Sequence, residues 1–268
     1  MTTFRRLLPG LPLLFAAAFA SSGCIIVDGD DWEDDRWNED HEDDWYSTDN
    51  WSCSGGSWPG SAEVYDADDI SRLHGCYHIE GDLSIRGTDL QDLHQLAQLV
   101  SVGGTLTISH NSNLATLWGL GGLAQVGGDL VIESNPALVN PGHLDSLVEI
   151  EGDLEVYANQ SMTSFVGLED LRFLGDSLVV EGNGNLASLH GLEDLLALGG
   201  DLEISHNNTL EGLEGLGGLT YMGGDLLQIT YNQILPTCEA EDLAGRMIAG
   251  GFQGTINIAG NDDEATCP

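Results

Sequence analysis

The chain contains no lysine. Its seven basic residues are all arginine and stand against 44 Asp plus Glu in 268 residues, a formal net charge of −37. Binding to nucleic acid by neutralising phosphates is therefore not expected; a cationic or metal-bridged partner fits better. No CxxC pair occurs, which argues against a zinc site. No Ser, His and Asp arrangement, His-Glu zinc helix or phosphate-cradling loop is present either, so no catalytic residue, metal or cofactor is expected. Apolar runs of about 18 residues are missing as well, so the mature chain has no expected membrane span. The length is enough for one or two domains with a proper core.

What is there begins with an export layout. Arg5 and Arg6 precede an apolar run from Leu7 to Ala20, too short to span a bilayer. Ser22-Gly23-Cys24 resembles the end of a bacterial lipoprotein box, in which the Cys24 thiol is acylated and becomes the new N-terminus; Ser21 stands where such boxes usually carry Leu. Ala18-Phe19-Ala20 offers an ordinary cleavage site as the competing reading. Both readings mean export: residues 1–23 as signal, then either a lipid anchor at the outer membrane or cell surface, or secretion. Acylating Cys24 leaves four of the five cysteines, Cys53, Cys76, Cys238 and Cys267. Four cysteines allow three connectivities. The two local pairs, Cys53 with Cys76 and Cys238 with Cys267, are preferred because they bracket the repeats described below, and each bridge is worth about 3 to 4 kcal/mol.

Residues 24–52 read as an acidic, disordered tether. Within DGDDWEDDRWNEDHEDD, residues 28–44, eleven carboxylates face one Arg, and their repulsion keeps such a stretch extended. Trp32, Trp37, Trp45, Trp51 and Trp58 fall in or just after it. They suit either a docking segment for a basic, grooved partner or packing on the first turn of the folded part. DGDD lacks the Gly and terminal Glu spacing of an EF-hand loop.

Beyond residue 53 the chain repeats. Aligned on its Asp-Leu pair, the strand leucine recurs as Leu83, Leu106, Leu130, Leu154, Leu178, Leu202 and Leu226, 23 residues apart once and 24 thereafter. A fixed period of this size means a solenoid. Leu-x-Ile has period two and predicts a short strand with both residues inward. The glycine pair before it, such as Gly127-Gly128, is expected to make a tight corner that other residues would strain. Leucines at every third position line the remaining sides. Asn111, Asn135, Asn159, Asn183 and Asn207 lie five residues after the strand Leu and Asn232 lies six after it. They are read as a structural ladder whose amides satisfy corner backbone groups. Cys53 to Cys76 forms the N-terminal cap. At the other end, Cys238 to Gly250 predicts a short helix, followed by a last strand and ladder Asn in 254–261.

The unit GDLxIxxNxxLxxLxGLxxLxxVG and the Cys238 to Cys267 cap resemble the receptor L-domain repeat over residues 53–268. That family forms short right-handed β-helices in the extracellular halves of insulin-type and epidermal-growth-factor-type receptors and in bacterial surface lipoproteins. Leucine-rich repeats share the LxLxxN core and the 24-residue period. The four-residue gap from Val126 to Leu130, where a horseshoe repeat has three, favours the β-helix. The expected fold is therefore a mainly β, right-handed parallel β-helix-like solenoid of six to seven coils. The resemblance implies ligand binding without carrying over any residue.

Between the inward residues, Glu133 and Glu181 project outward in one column with Tyr157 between them. Glu155 and Glu203 stand in the next column, with Val131 and Val179 flanking Glu155. This face suits a basic protein or a sugar-bearing ligand; the plain alternative is a solvated sheet. His110 and His206 occupy equivalent slots four coils apart, about 19 Å, and cannot share a metal. The expected function is a non-catalytic envelope recognition module. Its rivals are a structural or adhesive role and polysaccharide cleavage, the last disfavoured by coils without added loops. A salt-rich habitat would account for the acidity with no partner at all.

Overall fold

The computed structural model describes Cys53 and residues 56–267. The export segment, Cys24, the tether and the tryptophans before Trp58 lie outside the described residues. The described part is a parallel β-solenoid of about seven turns with one continuous core. Two sheets run its length. The long-stranded sheet has nine strands, among them Ala62–Val64, Leu83–Arg86, Leu130–Glu133, Leu154–Tyr157, Leu202–Ser205, Leu226–Thr230 and Thr255–Ala259. The short-stranded sheet has eight two-residue strands, from Ser57–Trp58 to Tyr221–Met222. The sequence pattern assigned the second sheet only to leucine-lined sides, because two residues are too few to display a period.

Each coil turns its strand Leu and the following Ile or Val inward, as the alternation requires: Leu130, Ile132, Leu154 and Val156 are fully buried. The leucines spaced three apart fill the other sides, for example Leu186, Leu189, Leu192 and Leu195, all at 0 % exposure. From Leu106 to Leu202 the strands pair with a 24-residue offset, as Leu154 on Leu130 and Leu178 on Leu154, so like stacks on like.

The alignment fails in one coil. Leu202 pairs with Leu227, not Leu226. Leu227 is fully buried while Leu226 is half-buried. The unit holds one extra residue, and since a one-residue slip would turn every side chain of the strand over, the register follows the apolar residues rather than the Asp-Leu pair. Asn232 then sits five residues after its strand Leu, like every other ladder residue.

The glycine pair also needs a different reason. Neither Gly127 nor Gly128 has a left-handed φ. Their role is close stacking: a Cβ on Gly127 would collide with the Gly103 carbonyl oxygen, and one on Gly128 would lie 2.8 Å from the Gly104 carbonyl carbon. The left-handed turn occurs instead at the residue just before the ladder Asn. His110 and His206 both have φ 59° there, and Ser134, Ala158 and Tyr231 match them.

Both ends are capped. The Cys53–Cys76 disulfide (Cα–Cα 5.0 Å) closes the N-terminal turn, which carries the short helix α1, Ala67–Arg72. Asp66 caps α1 by accepting from the Asp68 and Asp69 amides at 2.8 and 2.9 Å. At the other end, α2, Thr237–Ala249, buries Ala240, Leu243, Ala244 and Met247. Arg246 of α2 donates to the carbonyls of Leu216, Gly217 and Leu219 at 3.2 to 3.4 Å, tying the helix over the last coil. The Cys238–Cys267 disulfide (Cα–Cα 6.1 Å) fastens the chain end to it.

Candidate binding face

The face rests on two ladders of side chains. In the first, the backbone N–H of Asn111 donates to Asn135 Oδ1, and the relay continues through Asn159, Asn183, Asn207 and Asn232 at 2.9 to 3.1 Å. Each Nδ2 reaches back to an inward strand carbonyl of the preceding coil, as Asn159 does to Ile132 at 2.8 Å. All six amides are fully buried, so the relay satisfies groups that water cannot reach. Thr88 begins it, donating to Asn111 Oδ1, and Asn261 ends it by accepting from Asn232. The second ladder was not foreseen. Asp82, Thr105, Asp129, Asp153, Ser177 and Asp201 each accept from a backbone N–H one coil on, at 2.6 to 3.2 Å. Its signal was present as the Asp used to align the repeats. Burial pushes the Asp153 carboxyl up, and nearby Asp176 and Asp129 add to the rise.

On this support the outward residues fall as the alternation predicts. Tyr157 lies between Glu133 and Glu181 in one column. Glu155 pairs with Val131 and Val179 in the next, and Glu203 lies beyond Val179. The four carboxylates thus alternate with apolar groups and do not touch one another along a column. Tyr157 and Glu155 stand two residues apart on one strand, and each shifts the other's hold on its proton. Both are half-buried. Burial raises the Glu155 carboxyl, with Asp153, Asp129 and Glu133 adding repulsion against the lowering effect of Tyr157. Burial, then the Glu155 charge, raises the Tyr157 hydroxyl. Glu203 accepts from Gln228 Nε2 at 3.4 Å. No cation among the described residues pairs with Glu133, Glu155 or Glu203.

One end of the face carries an aromatic feature the sequence did not announce. His206 stacks on Tyr231 (ring centroids 5.1 Å) with its Nδ1 3.8 Å from Glu181. Both rings stand in the left-handed slot, which aims them outward beside the strand columns. A separate cleft of about 460 Å³, lined by Glu63, Tyr65, Asp69 and Arg72 among others, lies against α1. Among the described residues no group of three or more His, Cys, Asp or Glu is arranged to hold a metal ion, and no helix is long and apolar enough to cross a membrane.

Fold and face together define a disulfide-capped parallel β-solenoid with one acidic, tyrosine-centred sheet. Comparison with protein-family models, curated proteins and solved structures finds no match.

Proposed function

We propose that the chain is a non-catalytic recognition module of the cell envelope, a receptor L-domain-like solenoid exported and held to a membrane by an acyl group on Cys24. Its long-stranded sheet receives a basic protein or a glycan. The observation that carries the binding reading is the strand pair around Tyr157. There, Glu133, Glu155 and Glu181 surround a half-buried aromatic ring with no cation of the described chain neutralising Glu133 or Glu155. A like-charged group of this kind is mildly unfavourable in itself; an ammonium or guanidinium over the ring, or a sugar stacked on it, offsets that cost. The two disulfides are in keeping with an oxidising, exported setting.

Two experiments test the two halves. For the anchor, intact mass and detergent partitioning of the native chain are compared with Cys24→Ser. Acyl mass and partitioning, both lost in the variant, support the anchor, whereas an unmodified chain starting at Ser21 means secretion. For the face, titration with a synthetic Arg-rich peptide and with soluble envelope polysaccharide is repeated on Tyr157→Ala and Glu155→Gln. Equal affinity of both variants and wild type for both probes removes the binding reading.

A further inference from the structure

The short-stranded sheet presents a surface of opposite character. The residue just before each of its strands forms an exposed column, joined by N–H to C=O bonds such as Val100 to Tyr77 at 2.7 Å, Ala124 to Val100 at 2.8 Å and Leu196 to Arg172 at 2.9 Å. Tyr77, Val100, Val148 and Leu196 are 48, 38, 42 and 40 % exposed. Beside them runs the outward position of the strands themselves, polar at His78, Ser101, Gln125 and Glu149 and apolar at half-buried Phe173 and exposed Tyr221. Seven coils at strand spacing make this stripe about 29 Å long. In a chain with 44 carboxylates, its two columns contain a single acid, Glu149, and a single Arg, Arg172. An exposed column that is apolar over most of the solenoid's length is a contact surface in want of a partner.

We propose that the partner is a second copy of this chain, packed face to face with its coils running in the opposite direction. Three features of the stripe are self-complementary. Its two columns hold one acid and one Arg in a strongly acidic molecule, with Asp194 and Glu151 touching Arg172 and Gln125 at its edges, so two copies meet there with reduced charge repulsion. Its two charges are opposite and sit in adjacent coils, since Phe173 beside Arg172 pairs with Glu149. A two-fold axis along the strand direction between those coils sets Glu149 of each copy within reach of Arg172 of the other. Within one copy, the carboxylate that pairs with the Arg172 guanidinium among the described residues is Asp194 at 3.9 Å, both exposed. The same axis opposes large residues to small ones: Leu196 faces Ala124, and Tyr221 faces Ser101. The stripe offers fewer outward residues than the roughly 20 to 30 a side of a tight complex, so the dimer is weak and reversible. Because screening relieves the repulsion between two chains of charge −37 and leaves apolar burial intact, salt strengthens it. The surface is separate from the acidic face and stands or falls independently of it.

Sedimentation velocity on the full chain carrying Cys24→Ser, from about 1 to about 200 µM in about 0.05 and 0.5 M NaCl, tests this. The expected result is a concentration-dependent dimer that tightens with salt and is weakened at least about tenfold by Leu196→Asp. Arg172→Glu weakens it several-fold, and the double variant Glu149→Arg with Arg172→Glu regains it. A monomer throughout, a dimer that loosens with salt, or one indifferent to Leu196→Asp overturns the proposal. A double variant no better than Arg172→Glu overturns the antiparallel arrangement.

Discussion

The two sheets are built from the same coils, share one core and have the same offset, yet they solve stacking differently. Behind the long-stranded sheet, the turns are joined by side chains: amides at one corner, carboxylates and hydroxyls at the other. Along the short-stranded sheet the turns come close enough that a Cβ on Gly127 or Gly199 would collide with the Gly103 or Gly175 carbonyl oxygen, although Glu80 and Glu151 occupy the same slot in their own coils. Four-residue strands spread their outward residues into separate columns that tolerate charge. Two-residue strands, followed by glycine in five of eight cases and by Pro59, Glu80 or Glu151 in the others, leave a narrow ridge with one mostly apolar column. Strand length and corner chemistry, not coil identity, therefore divide one repeat into a polar face and an apolar one.

Several substitutions sharpen that division. The largest effect belongs to the shared core. Leu195→Asp introduces an unpaired charge at a fully buried position and is expected to abolish cooperative unfolding by circular dichroism. At the long-stranded corner, Asn159→Ala removes the acceptor of the Asn135 N–H and a donor to the Ile132 carbonyl; a loss of about 3 kcal/mol in urea denaturation is expected. At the short-stranded corner, Gly199→Ala drives a methyl group into the Gly175 carbonyl and should cost about 2 kcal/mol in the same assay. If Gly199→Ala is neutral, glycine does not set the spacing there.

The polar face predicts a pH effect. The Asp153 and Glu155 carboxyls are raised, chiefly by burial, so the folded state holds their protons more tightly than the unfolded chain does. Stability from this source is absent at neutral pH, grows as pH falls through the raised folded values, and is complete below the ordinary carboxylate range of about 4. The melting temperature should rise on mild acidification, and rise less in Glu155→Gln. The smallest effect is expected on the apolar ridge: Leu196→Ser, one residue from Leu195 but exposed, should shift stability by less than about 0.5 kcal/mol.

Much of this division was legible in the primary structure, and where it was not the reason is specific. The strand columns follow from alternation alone, so Glu133, Tyr157 and Glu181 could be aligned before any coordinates. The Asn ladder was visible as a period, as were the two local disulfides and the closing helix. The Asp, Thr and Ser ladder was hidden because three residue types share the one role of accepting a backbone N–H. The ridge was hidden because Val100, Val148 and Leu196 adjoin buried leucines, and only the turn of the chain separates an inward Leu195 from an outward Leu196. Asp-Leu at 225–226 misled the alignment by one residue.

By itself, then, the sequence determined a parallel solenoid with a 24-residue coil, its inward residues, its amide ladder and its capped ends. Each of these repeats, and repetition converts a weak local preference into a stack of identical contacts. Only the tertiary structure decided the register at Leu227, the stacking role of the glycine pairs and the left-handed turn at His110 and His206. The same holds for the second sheet with its apolar ridge. These depend on how closely one coil lies on the next, a distance set by backbone contacts between residues 24 apart and not by any residue's own preference.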